Sequence, residues 1–299
     1  MSEVLRFTRI VGCDLAGISS AAAKSAVAIF QRRGSSFELT EVGLLPPADR
    51  TLHPDEDFLD SFGQSDLLVV DSPLQWPALL RTESDADVVE RHWRARLSEA
   101  LKRRYPEERF SLVRDRLCEK CALMNGVPVN NPGVNLGGVV ARAIYWRNRL
   151  GDRATIIETN PDSVLAYVGV VRRDDGHRWY RPPDHLRGSI SLSTFLRQKA
   201  IATMWPNVHL RHGADRDLRA YTSAGKAGPD RDLLMAVAAG LCGVSYASDC
   251  VLLPCTAAGT ADPGAPFDRD GWIYLPRRAS CPARCSQCGP EHSHTPTDP

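Results

Sequence analysis

Four acidic residues fall where a predicted strand ends or a predicted helix begins. Asp14 closes the β-rich segment FTRIVGCD, Asp71 follows the apolar run DLLVV, and Glu158 closes the segment ATIIE. Asp232 lies in the first turn of a predicted helix. Carboxylate oxygens are the ligands that magnesium and manganese prefer, and a pair of such ions can stabilise the attacking and leaving oxygens of a phosphodiester. The four acids therefore predict a metal site suited to phosphodiester hydrolysis.

Each acid also fits a structural role on its own. Asp14 can form a side-chain turn with the residues after it, Asp71 precedes a Ser-Pro loop, and Glu158 can be a strand-end acid facing solvent. Asp232 is placed where the helix dipole favours an acid regardless of function. Ionisable groups gathered at strand ends are nevertheless a functional pattern more often than a structural one. The order of the four acids along the chain favours a shared site.

The elements that must position these acids follow from hydrophobic patterning. The predicted strands are Phe7–Asp14, Ala26–Gln31, Phe37–Leu45, Asp66–Val70 and Ala154–Glu158, with a further strand at Gly271–Pro276. Asn160 and Pro161 are a capping residue and a first-turn proline, and they predict a helix to about Val168. A helix over Pro229–Gly243 is rich in alanine and glycine, which permits close approach to a sheet.

This order predicts an α/β fold of the RNase H-like type, with a mixed sheet flanked by helices. The core comprises residues 1–74 and 151–276, and it is interrupted by a helical insertion over residues 75–150 that ends in a helix at Val139–Leu150. Residues 277–299 form a tail of Cys, His, Pro and Thr with almost no large apolar side chain. Such a tail cannot build a hydrophobic core of its own, so metal binding or disorder must account for it.

Four segments resemble the family of predicted RNase H-like nucleases known as domain of unknown function 429. They are VGCDLAG from Val11, VVDSPL from Val69, IIETNPDSVL from Ile156 and DLLMAVAAGL from Asp232. The resemblance covers most of the core but not the tail. It implies an RNase H-like nuclease in which the four acids Asp14, Asp71, Glu158 and Asp232 bind magnesium or manganese.

The resemblance has one departure and one loose match. Related resolvase-type helices carry a second acid three residues after the first, where this chain has Met235, whose thioether coordinates a hard cation poorly. The segment Arg114-Asp115-Arg116 loosely resembles an Arg-Asp motif in the family's helical region.

Two other function classes remain open from the sequence. An actin-like or sugar-kinase-type nucleotide-binding protein shares the opening strand-Asp-turn and would place Gly12, Asp14 and Gly17 near phosphate, but a second glycine-rich phosphate turn is not found. A catalytically weak RNase H-like scaffold that binds nucleic acid or protein is consistent with Met235 in place of the second helix acid.

The nine cysteines include two CxxC pairs, Cys118 with Cys121 and Cys285 with Cys288. Thiolate pairs of this kind bind zinc, and Cys281, His292 and His294 are further candidate ligands near the second pair. The tail residues Cys281, Cys285 and Cys288 are consistent with zinc, with an iron–sulfur cluster or with a metal-free tail. Four other cysteines lie in apolar stretches and are predicted to be small core residues, namely Cys13, Cys242, Cys250 and Cys255.

Overall composition limits the partners and the compartment. The formal net charge is +1, so contact with nucleic acid must be local, and the basic run Lys102-Arg103-Arg104 is interleaved with acids that favour a solvated helix face. No segment reaches the ~18 apolar residues that a membrane span needs, and no secretion signal precedes the first strand. We therefore expect a cytoplasmic protein without a membrane partner, whose oligomeric state the sequence leaves open.

Overall fold

A mixed β-sheet with helices on both faces organises the molecule. The structure, a computed structural model, describes residues 6–16, 25–45, 53–74, 137–173, 180–181, 183–248, 250–252 and 273–276. The described strands in chain order are β1 (Arg9–Asp14), β2 (Ala26–Arg33), β3 (Ser36–Leu44), β4 (Asp66–Val70), β5 (Thr155–Thr159), β6 (Arg172–Arg173), β7 (Tyr180–Arg181), β8 (Gly188–Ser191), β9 (Val208–Leu210), β10 (Asp217–Tyr221), β11 (Val251–Leu252) and β12 (Ile273–Pro276). The described α-helices are α1 (His53–Asp60), α2 (Gly137–Leu150), α3 (Pro161–Tyr167), α4 (Leu192–Leu196), α5 (Lys199–Met204) and α6 (Arg231–Ala247). Short 3-10 helices cover Gly151–Arg153 and Asp184–Leu186.

Within the described residues, the main sheet has eight strands in the order β11-β12-β5-β4-β1-β2-β3-β9. Strands β1, β2 and β3 form an antiparallel meander, and β4 joins β1 in parallel, with β5 and then β12 parallel beyond it. All five residues of β4 are buried, which is the pattern of a central parallel strand covered on both faces. Strand β1 therefore lies at the point where the antiparallel and parallel parts of the sheet meet.

The two faces of the sheet carry separate hydrophobic clusters. Helices α3 and α6 pack on one face, which we call the α6 face, where they meet Ile10, Val69 and Ile157. Helices α1 and α2 pack on the other, the α2 face, against Val11 and Val70. Alternation of side chains along the strands separates these two sets.

The sequence predicts much of this core. The first five predicted strands are present, with ends displaced by no more than two residues, and the strand predicted at Gly271–Pro276 lies beside β5. The sequence did not predict β8, β9, β10, α4 or α5, and β9 extends the sheet by pairing in parallel with β3. These strands have three to five residues of mixed polarity, such as VHL and DLRAY, so they lack the apolar periodicity on which recognition depends.

Helix α2, which the sequence placed in the insertion, packs against the sheet through Ala143, Trp146 and Leu150. Cys13 and Cys242 are buried as predicted, whereas the prediction that Cys250 is a core residue is wrong, since this residue is exposed in the segment after α6. The rest of the insertion, the pair Cys118 and Cys121, and the tail lie outside the described residues.

None of the helices in the described ranges is long and apolar enough to cross a membrane.

Candidate functional site

Asp14 and Asp71 lie side by side at the carboxyl ends of β1 and β4. These strands are adjacent and parallel, with Cys13 paired with Val70, and the Asp71 backbone amide donates a hydrogen bond to the Cys13 carbonyl oxygen at 2.9 Å. Ile10 and Gly12 point to the α6 face, so alternation places Asp14 on that face as well. The carboxyl ends of neighbouring parallel strands thus bring two acids together that are 57 residues apart in the chain.

Helix α6 places Asp232 near the carboxyl ends of β1 and β4 as well. A side chain at Gly12 would lie 2.2 Å from the Ala236 carbonyl oxygen, so the helix backbone lies directly on β1 at that point. Gly243, further along the helix, lies against Ile10, which is earlier in the strand. The helix therefore runs opposite to β1, and its first turn, with Asp232, lies near the end of β1 that carries Asp14.

The electrostatics of the three acids reflect this convergence. Burial raises the pKa of Asp14 to about 7, helped by the charges of Asp232 and Asp162 and opposed by that of Arg231. Burial and the charge of Asp14 raise the pKa of Asp71 well above its ordinary value. Burial also raises the pKa of Asp232, although this residue is exposed on its outer side. Partly buried carboxylates that repel one another are stabilised by a proton or by a bound cation.

Two residues near these acids were not predicted from the sequence. Arg231, beside Asp232 in the first turn of α6, forms an ion pair with Asp162 of α3, with Nη2 and Oδ2 2.5 Å apart. The Asn160 side chain caps α3 by accepting a hydrogen bond from the Ser163 amide at 2.9 Å, as the sequence predicted, and so fixes the turn that carries Asp162. The only sequence signal for the pair is that each charge lies in the first turn of a predicted helix.

Glu158 lies on the strand next to β4, and its carboxylate contacts the loop after Asp71. Val70 of β4 pairs with Glu158, and the Glu158 Oε2 atom accepts a hydrogen bond from the Leu74 amide at 3.1 Å. Strand alternation directs Glu158 to the α2 face, with Ile156, rather than to the α6 face of Asp14. Its carboxylate therefore holds the loop that follows Asp71, and its charge is the weakest of the influences that raise the pKa of Asp71.

The acids of this site are not arranged as a preformed metal-binding group. Across the described residues, no three side chains of His, Cys, Asp or Glu are arranged as a group that could hold a metal ion. Met235, which occupies the position of the second acid in related resolvase-type helices, is buried in the hydrophobic cluster of the α6 face. The candidate thiolate ligands Cys281, Cys285 and Cys288 lie outside the described residues.

Comparisons with protein-family models, with curated proteins and with solved structures give no match to this chain. Asp14, Asp71 and Asp232 provide hard oxygen donors at the carboxyl ends of β1 and β4. The guanidinium group of Arg231 lies beside them. Such an arrangement is suited to a divalent cation and to a negatively charged group that the cation attracts.

Proposed function

We propose that this chain is an RNase H-like, metal-dependent nuclease that hydrolyses phosphodiester bonds in nucleic acid. The observation that carries the proposal is the convergence of Asp14, Asp71 and Asp232 at the carboxyl ends of β1 and β4, where burial raises the pKa of each acid. The strand order β3-β2-β1-β4-β5, with three antiparallel strands followed by two parallel ones, supports an RNase H-like core. The resemblance of four segments to domain of unknown function 429 points the same way.

The residues fit magnesium or manganese by their chemistry. Asp14, Asp71 and Asp232 would hold the ion, and the exposed Asp232 side chain can turn about its own torsions to complete the set. When bound, the metal would supply Lewis acidity and lower the pKa of a coordinated water. Arg231 offsets part of the negative charge of the three acids and keeps Asp162 paired. Glu158 holds the loop after β4 so that Asp71 keeps its place beside Asp14.

The test compares wild-type protein with Asp14→Asn in manganese, using single-stranded and duplex DNA and RNA and a branched junction as substrates. Asn keeps the shape of the side chain but removes the charge that would hold the ion, so we expect cleavage to disappear while the fold is retained. Asp217→Asn is the matched control, because Asp217 is an exposed acid in the separate two-stranded sheet. It should cleave at the wild-type rate.

Two results would contradict the proposal. Retention of manganese-dependent cleavage by Asp14→Asn would remove Asp14 from the site. Tight ATP binding by the wild-type protein without cleavage of any substrate would instead support the actin-like class.

A further inference from the structure

A buried ion pair joins helices α1 and α2 on the α2 face. Arg142 of α2 and Asp55 of α1 are each only 1% exposed. The guanidinium binds both carboxylate oxygens, with Nε 2.7 Å from Oδ2 and Nη2 bonded to Oδ1, and Trp146 Nε1 donates to Oδ2 at 2.9 Å. The charges are therefore paired and hydrogen-bonded in a position where water does not reach them.

The same guanidinium also holds the chain that leaves the carboxylate site. Arg142 Nη1 donates to the Ala16 carbonyl oxygen at 2.7 Å and to the Ser25 hydroxyl oxygen at 2.9 Å. That hydroxyl oxygen also accepts a hydrogen bond from the Ala16 amide at 3.1 Å. Both backbone polar groups of Ala16, two residues after Asp14, are thus fixed by one arginine and one serine.

Stability alone is a weak explanation for this arrangement. A buried ion pair often stabilises a protein no more than apolar side chains of the same volume, because desolvation of the charges offsets their attraction. The planar fork of arginine, however, can bind a carboxylate with two nitrogens and use the third for other acceptors, which an ammonium group cannot do in the same geometry. The contacts of Arg142 are therefore better explained by their effect on the position of the Ala16 segment than by a contribution to the stability of the fold.

Asp14 is a position at which such placement is needed. Its pairing with β2 ends at Ala26, and the pairing of β1 with β4 ends at Cys13 and Val70. The chain beyond Asp14 has left the sheet ladder, and its path is held by the buried side chain of Leu15 and by the hydrogen bonds of the Ala16 backbone.

We propose that Arg142 is a positioning residue for the carboxylate site, which fixes Ala16 and thereby the orientation of Asp14 toward the metal. This inference rests on the proposed function. Arg142 thus influences the geometry of the carboxylate site from the opposite face of the sheet.

Two variants separate positioning from stability. Arg142→Lys keeps the positive charge beside Asp55 but cannot hold Asp55, Ala16 and Ser25 together. The double variant Asp55→Leu with Arg142→Met replaces the ion pair by apolar side chains, which can preserve the fold while removing the anchor. Arg149→Lys is the matched control, because Arg149 lies on the same helix in an exposed ion pair with Asp60.

The measurements are manganese affinity, thermal stability and hydrogen exchange of the Ala16 amide in the full-length protein. Both variants should bind manganese about 10- to 100-fold more weakly, as is usual when the residues that orient metal ligands are changed. Exchange at Ala16 should accelerate while exchange at Val11 within β1 stays slow. Arg149→Lys should match the wild type in all three measurements.

The inference is overturned if a folded variant shows wild-type manganese affinity, or if weaker binding merely follows the fraction of unfolded protein. A wild-type protein that binds no manganese would overturn the proposed function instead. In that case exchange at Ala16 still decides whether Arg142 holds this segment, and unchanged exchange in the double variant would reject the inference independently.

Discussion

Replacing Gly12 by alanine should disrupt the contact that brings helix α6 to the candidate site. The added Cβ would lie 2.2 Å from the Ala236 carbonyl oxygen and 2.3 Å from the Gly240 amide nitrogen. Both are backbone atoms, so no side-chain rotation can relieve the clash. Because ordinary contact begins at 3.4 Å, the helix would have to retreat by about 1 Å.

A displacement of this size affects the whole interface between helix and sheet. A gap of about 1 Å removes up to about half of the attraction of each atom pair across it. Fourteen residues of α6 are buried, and Gly243 lies against Ile10 and Val69, so the loss is spread along the helix. Overpacking of a core costs ~1–3 kcal/mol when side chains can adjust, and we expect about 3 kcal/mol here because the backbone cannot.

The assay is urea denaturation of Gly12→Ala beside Gly63→Ala, with manganese affinity measured on the folded variant. Gly63 is the matched control, because it is exposed and a Cβ there meets no atom within 4 Å. Gly63→Ala should be within about 0.5 kcal/mol of the wild type. If Gly12→Ala unfolds at the wild-type urea concentration and binds manganese normally, the placement of α6 on β1 is wrong, and Asp232 does not lie next to Asp14.

Three further perturbations test the site and the tail. The pKa of Asp14 is about 7 in the folded protein, against an ordinary value of 3.8, so the free energy of unfolding of the metal-free protein should fall as the pH rises through this interval. Asp14→Asn should reduce this fall in urea titrations at several pH values. An unchanged dependence of the unfolding free energy on pH would contradict the raised pKa of Asp14. Asp162→Asn should lower the pKa of Asp14 and Arg231→Gln should raise it, because the Asp162 charge raises this pKa and the Arg231 charge lowers it. A carbon-13 NMR titration of Asp14 in which both variants shift the pKa in the same direction would refute this prediction. Deleting residues 277–299 should remove bound zinc or iron in elemental analysis and leave the core folded, and full-length protein containing neither metal under reducing conditions would reject the thiolate site.

The sequence predicts the central strands because their patterns are strong. The run DLLVV is continuous, apolar and bounded by polar turns, and Asn160-Pro161 is a helix start with a capping oxygen and a proline that needs no amide partner. Local signals of this kind place all four acids at predicted element ends, and the carboxyl ends of the parallel strands β1 and β4 then bring Asp14 and Asp71 together.

The sequence does not reveal which face each acid occupies or which charges pair. Glu158, like Asp14, closes a strand predicted from the sequence, but β5 continues to Thr159 and its register directs Glu158 to the other face and to the Leu74 amide. The partners Arg142 and Asp55 are 87 residues apart, and Arg231 and Asp162 are 69 residues apart. One signal was present, since Arg142 interrupts the apolar stripe of Val139, Ala143 and Trp146 on its helix, and a charge on a buried stripe requires a partner.

The central position of β1 explains why the determinants of the site extend beyond its acids. On the α6 face, Gly12 lets the helix carrying Asp232 contact the strand backbone, and on the α2 face Arg142 fixes Ala16. Asp14 lies between these two points in the chain, within five consecutive residues. A change at either contact alters the direction of Asp14 without touching a carboxylate, because the strand transmits a shift of its backbone over one or two residues. Substitutions that weaken the site should therefore include Gly12 and Arg142, whereas the exposed acid Asp217 should tolerate change.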